Sequence, residues 1–318
     1  MSDQEQHDGA GSQRPINLEA GRRAFLKTAG MGTALAALAT VTSGEAQAQT
    51  ADFDVAILNF ALNLEYLEAE FYQRAVYGVG LDASLTGGIG TQGGGVRGGS
   101  KVPFKNTVVQ NIAAEIANDE KNHVIFLKSA LGSKAVAEPI ISLDSSFTAL
   151  AAAAGLPSGF NPYADDFSFL LAAYVFEDVG TTAYNGAAPF ITNKTYLGAA
   201  ASILAVEAYH AATIRTLLFS QQNQFFNNAT ALISKLRATL SGAQDDQAIG
   251  ADQSTLAGGF PSPANITPAD ANGLVFARTP RQVLNVVYGG VNASKGVFFP
   301  EGANGGPGFS ALLKATGG

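Results

Sequence analysis

Two tetrapeptides limit how this chain can fold more than any other feature: Glu120-Lys121-Asn122-His123 and Glu207-Ala208-Tyr209-His210. Each sets a histidine three residues after a glutamate, inside an apolar pattern of helical period. Two more glutamates, Glu65 and Glu177, lie in similar segments and are each followed seven residues later by a tyrosine, Tyr72 and Tyr184. In chain order the pattern is Glu-x6-Tyr, Glu-x2-His, Glu-x6-Tyr, Glu-x2-His. Residues i and i+3 share a helix face, so each Glu-x2-His pair can aim two ligands at one point. Residues i and i+7 are two turns apart on nearly one stripe, which places each tyrosine close to the face of its glutamate. The residues three and four before each glutamate are mainly apolar: Ala61 and Leu62, Ile116 and Ala117, Ala173 and Tyr174, Ile203 and Leu204. The four carboxylates are therefore expected to point inward.

A buried carboxylate costs several kcal/mol unless its charge is compensated. Lys and Arg are scarce on these stripes, so ion pairs are not expected to neutralise four such groups. Two divalent cations would match the charge, and each histidine would add a neutral nitrogen. The expected ligands are Glu65, Glu120, His123, Glu177, Glu207 and His210, in the four-glutamate, two-histidine arrangement of dimetal carboxylate bundles. Oxygen-rich donors with one imidazole per metal suit Fe or Mn, with Zn as an alternative. Glu120 and Glu207, the partners of the histidines, are the expected bridges. Glu68 lies one turn after Glu65 and competes as the first helix's ligand or as a hydrogen-bond acceptor beside it. Asp119, Asp178 and Glu115 are candidates to bond a histidine or a ligating carboxylate, with surface solvation the competing reading for Asp119 and Glu115. Tyr72 and Tyr184 are expected in the core with hydroxyls on carboxylates, a redox role being the alternative.

Helical periodicity covers residues 52–77, 105–131, 163–187 and from about 195 to the Gln-Gln-Asn-Gln stretch at 221–224. Residues 78–104 are too glycine-rich to hold a helix and read as a long loop. Val108, Ile112, Ile116, Val124 and Leu127 are expected on the inner side of the second helix. The connection at 133–162, with its own short alanine-rich helix, is long enough to return the chain along a bundle. A further amphipathic helix is expected over 228–241, and Thr279-Pro280-Arg281-Gln282 reads as a capping box opening another. The expected organisation is a signal segment at 1–48, a four-helix bundle at 49–223 and, at 224–318, a tail that packs on the bundle or serves assembly as a homo-oligomer.

At 47% hydrophobic over 318 residues the chain can bury a sizeable core. A net charge of −7 with no basic cluster argues against nucleic acid and anionic lipid as partners. The absence of cysteine excludes disulfides, thiolate metal sites and cysteine nucleophiles. Arg22-Arg23-Ala24-Phe25-Leu26-Lys27, an apolar run too short to span a bilayer, and Ala46-Gln47-Ala48 resemble a twin-arginine export signal. That resemblance implies the twin-arginine translocon as a transient partner and a periplasmic or extracellular destination. No membrane span is expected in the mature chain.

The four-part pattern looks like the ferritin-like superfamily. The segments LNFALNLEYLEAEFY, NDEKNHVIFL, FARTPRQVLNVVYGG and GVFFPEGANG resemble its secreted ferritin-like, desiccation-related group. The resemblance implies an all-α, antiparallel four-helix bundle with a long crossover between helices 2 and 3, and a dimetal centre on the six residues named above. A metal pair able to bridge an O–O unit is expected to react with O2 or peroxide, with Fe(II) oxidation, peroxide removal or an organic oxidation as the outcomes; the alternative, which the desiccation-related resemblance favours, is a non-enzymatic desiccation or stress protein whose metal site is structural. The glycine-rich loop and long tail depart from cage-forming ferritins, and no rubredoxin-type partner domain is present.

Overall fold

The structure is a computed structural model that describes residues 43–90, 95–250 and 264–316, with side chains from residue 52. The expected signal segment lies, up to residue 42, outside the described residues. One compact unit runs from Gln47 to Gly318. Its four long helices are α1 (Ser43–Tyr77), α3 (Thr107–Leu131), α5 (Asp166–Ala187) and α6 (Lys194–Ser220). Shorter helices are α2 (Ala83–Thr86), α4 (Ser145–Ala154), α7 (Gln224–Ser241), α8 (Pro280–Tyr288) and α9 (Phe309–Ala315).

Polar residues at the helix starts set both the boundaries and the directions. Asn106, Asp165 and Asn193 accept hydrogen bonds from the first backbone N–H groups of α3, α5 and α6. Asp166 at the start of α5 also accepts from the backbone of Lys105 and Asn106, at 3.0 and 3.1 Å, so α3 and α5 begin at the same end. Near the start of α1, Asp54 accepts from Thr192 and Asn193 in the α5–α6 turn at 2.8–2.9 Å. These contacts make α1 run against α5 and α3, and α5 against α6, with residues 132–165 as the crossover that keeps α3 and α5 parallel. This is the expected antiparallel bundle with its long helix 2–3 connection.

Three details differ from the sequence expectation. The segment 78–104 is not all loop: it holds α2 and a short strand, β1 (Val96–Arg97), which pairs in parallel with β2 (Ile141–Ser142) in the crossover. Gly98 makes this possible, since its φ is +79° and a methyl group there would stand 2.6 Å from the Cβ of Asp144. Val108 faces solvent, 56% exposed. With Asn106 as the cap, the inner stripe of α3 runs through Val109, Ala113, Ile116, Glu120, His123, Val124 and Leu127. Finally, α7 begins at Gln224 rather than 228.

An aromatic cluster closes the end of the bundle where α3 and α5 start. Phe71 stacks on Phe169 at 5.6 Å, and Phe147 meets Phe298 of the tail edge-on at 5.2 Å. The tail is fastened to the bundle. The side-chain amide of Asn63 on α1 donates to the Asn304 carbonyl at 3.0 Å and accepts from the Asn304 N–H at 2.8 Å, and Thr279 caps α8 in the expected box with Gln282. By length and composition α6 is the one described helix that could cross a membrane. It packs along α5 and buries Glu207, His210 and Arg215 against protein, which makes it a core helix.

Candidate metal centre

The six residues that the repeated pattern singles out meet in the middle of the bundle, one from each of α1 and α5 and two from each of α3 and α6. Glu65, Glu120, His123 and Glu207 each bring one donor atom within 4.8 Å of the others, and so do Glu120, Glu177 and His210. Glu120 belongs to both groups. Its Oε2 lies 3.4 Å from His123 Nδ1 and its Oε1 3.0 Å from His210 Nδ1. Glu207 joins the first group only, with Oε1 3.7 Å from His123 Nδ1. The carboxylates are at most 1% exposed, while His123 and His210 are 8% and 6% exposed. The two histidines are thus the most exposed of the six residues.

The outer contacts cross the bundle. Tyr72 of α1 donates its hydroxyl to Glu177 Oε1 on α5, and Tyr184 of α5 donates to Glu65 Oε1 on α1. Each tyrosine thus serves the glutamate of the facing helix rather than of its own. Asp119 Oδ2 stands 3.2 Å from His210 Nε2, which leaves Nδ1 directed at the carboxylates. Glu115 is exposed. Asp178 is not beside the cluster: it forms ion pairs with Arg215 and Arg237 at 2.7 and 2.8 Å. Being next to Glu177 in sequence rotates it about 100° round the helix, toward the tail.

Two features were not foreseen. The first is Gly180, in the middle of α5: a methyl group there would stand 2.2 Å from Glu207 Oε2 and 3.3 Å from Glu68 Oε1. Gly180 follows Glu177 by three residues as Glu68 follows Glu65, so one half of the repeat carries a carboxyl where the other leaves room for two. The second is a buried network of Arg215, Arg237 and Arg278 with Asp178, Asp245 and Asp246, which ties α5, α6 and the tail together. Apolar flanks around Arg215 give no hint of partners so far along the chain.

The side chains of the centre, taken by themselves, have the electrostatics of crowded acids. Burial raises Glu65 to about 7, against the pull of His123, and Glu177 to about 8, against that of His210. Burial and repulsion by Glu120 push Glu207 and Glu68 well above the usual carboxylate range. Burial also acts on Glu120, but the two histidines outweigh it and hold its carboxyl far below that range. Against the effect of burial, the carboxylates raise His123 to about 11 and His210 to about 9. Several inward atoms make no well-aligned hydrogen bond and face mainly one another: Glu120 Oε1, Glu177 Oε2, both Glu207 oxygens and His210 Nδ1. Buried polar atoms are rarely left so. Their number, and their convergence around Glu120, fit a positively charged occupant, and oxygen and imidazole donors suit a divalent transition metal.

Fold and site together define a helical bundle with a buried glutamate–histidine centre, and the chain belongs to the ferritin-like domain family, which matches residues 53–220. It is 32% identical over 271 residues to the ferritin-like catalase Nec2 of Nesocodon mauritianus, covering 79% of this chain and 84% of that one. It is also 34% identical over 269 residues to the desiccation-related protein PCC13-62 of Craterostigma plantagineum, covering 79% of this chain and 83% of that one. No solved structure gives a significant match.

Proposed function

We propose that the protein holds a pair of Fe or Mn ions on Glu65, Glu120, His123, Glu177, Glu207 and His210, and that it removes hydrogen peroxide by disproportionation. The observation that carries this reading is the convergence of buried carboxylate and imidazole atoms, several of them making no well-aligned hydrogen bond, on two points that share Glu120. Glu65, His123 and Glu207 would hold one ion and Glu177 and His210 the other, with Glu120 between them. When bound, a redox-active metal pair supplies the two-electron exchange that peroxide cleavage requires.

The side chains of this chain supply the rest. Tyr72 and Tyr184 fix the outer oxygens of Glu177 and Glu65, so that the inner oxygens face the centre. Asp119 orients His210. Glu68 is buried outside the two ligand groups, and burial together with repulsion by Glu120 raises its carboxyl well above the usual carboxylate range. It is suited to giving and regaining the proton that must move between the two oxygens of peroxide. The enclosure selects the substrate: with the carboxylates at most 1% exposed and the histidines 8% and 6%, the site suits peroxide or O2 rather than a bulky organic molecule. The name of the Nesocodon relative supports peroxide over Fe(II) oxidation.

A second reading follows from the Craterostigma relative: the metals only cross-link four helices of a desiccation protein, without turnover. Oxygen release from peroxide by metal-loaded protein separates the two. Turnover that disappears in Glu120→Gln supports the enzyme, and full metal content without turnover supports the structural reading. Export by the twin-arginine route to the periplasm or beyond remains part of the proposal, tested by fusing residues 1–48 to a reporter and replacing Arg22 and Arg23 with Lys.

A further inference from the structure

The helix α6 turns a face without charge toward solvent. Its Lys, Arg, Asp and Glu residues are Lys194 at the first position, and Glu207 and Arg215, both fully buried. Gly198, Ala201, Ser202, Ala205, Tyr209 and Thr216 are exposed along one stripe. By contrast, α3 sets Glu115, Asp119 and Lys121 on its outer side. An exposed helix ordinarily carries charge on its outer face, and one that lacks it is ordinarily covered.

A knob and a hole lie side by side on this face. Tyr209 is 75% exposed, the highest value for a large apolar side chain among the described residues. Beside it, between α5, α6 and the tail, is a cavity of about 310 Å³. Ala201, Ala205, Ala208 and Ala212 line it from α6, and Val275 and Phe276 from the tail. The ring of Tyr209 stands outside this cavity, in solvent.

Symmetry supplies the occupant. If two copies lay α6 against α6, antiparallel about a twofold axis at Ala205, Tyr209 meets the partner's Ala201 and Ala212 meets the partner's Gly198. Each ring then enters the other copy's cavity, as a self-complementary interface requires. Small residues at the crossing let the helices approach to the near end of the ~8–10 Å range. A twofold axis also sets each charge near its own copy, so a chain of net charge −7 associates with itself most readily through an uncharged face. Residues 198–216 span ~27 Å of a helix ~10–12 Å across. With the tail rim, where Leu274 is 47% exposed, the patch covers on the order of 600 Å² per copy, which reaches the ~1,200 Å² in total from which stable interfaces start. Lipid fits less well, since alanine and glycine offer little apolar surface and α6 exposes a single basic residue, Lys194.

We propose that the protein forms a twofold homodimer through the outer face of α6, with Tyr209 of each copy seated in the other's cavity. The proposal does not depend on the function of the metal centre.

The test is sedimentation of the full, metal-loaded chain. A dimer is expected, with a dissociation constant on the order of 1 μM. Tyr209→Ala, which removes the knob, should weaken it at least about tenfold. Ala205→Arg, which sets two like charges at the axis, should give monomer. Metal content and helix content should stay unchanged in both. Because the chain has no cysteine, a single Ala205→Cys reports the axis: it should form an intermolecular disulfide, whereas Thr216→Cys, also exposed on α6, should not. The proposal is overturned if wild type stays monomeric at about 100 μM, whether free or bound through this face to phosphatidylglycerol vesicles. It is equally overturned if Tyr209→Ala and Ala205→Arg dimerise as wild type does, or if Thr216→Cys cross-links and Ala205→Cys does not.

Discussion

At the scale of single residues, the centre depends on atoms that have no partner but one another. Glu120 is the sharpest case, because one side chain serves both histidines. On the proposed two-ion reading, Glu120→Gln should lower bound metal to one ion per chain or none, read by elemental analysis after dialysis. Gly180→Ala should weaken metal retention about 10–100-fold against a chelator, because the added methyl competes with Glu207 Oε2 for one space. Glu65, Glu120, His123, Glu177, Glu207 and His210 were legible in the sequence because helical period alone puts each on an apolar face. Gly180 was not: a mid-helix glycine signals only weak helix propensity, and the reason for it stands on another helix. Asp178 departs from its expected place beside the ligands because one residue beyond Glu177 turns it about 100° round the helix, toward Arg215 and Arg237.

Among the elements, the helices of the bundle could be read directly, since each combines a polar cap with an apolar stripe. The β1–β2 pairing could not, because two-residue strands carry no period and β1 finds its partner across the whole of α3. The attachment of the tail was equally hidden. Its capping box was visible, but the arginines that fasten it read as isolated charges. Arg237 donates to Asp178, Asp246 and the backbone of Tyr174. Arg237→Met leaves two carboxylates short of a partner and should destabilise the fold by about 3–5 kcal/mol, measured by denaturant unfolding. Thr279→Ala removes only the α8 cap and should cost about 1 kcal/mol in the same assay.

For the molecule as a whole, the charge in the centre links folding, protons and metal. In the metal-free chain Glu65 and Glu177 titrate at about 7 and about 8, against an ordinary 4.5. The folded form keeps protons that the unfolded form has released, so their contribution is complete below pH 4.5 and is lost as pH rises through 7 and 8. His210, raised from 6.5 to about 9, acts in the same direction over that higher range. Glu120 acts oppositely, its contribution being lost as pH falls below 4.5. The melting temperature of metal-free protein should therefore fall across pH 5–8, and metal loading should release protons and flatten that slope. The measurement that tests the central claim most directly is anomalous X-ray scattering from crystals of metal-loaded protein, with the ions counted per chain. Two peaks about 3.5–4 Å apart, with Glu120 touching both, are the expected result. A single ion, or ions bound away from Glu120, His123 and His210, would contradict it.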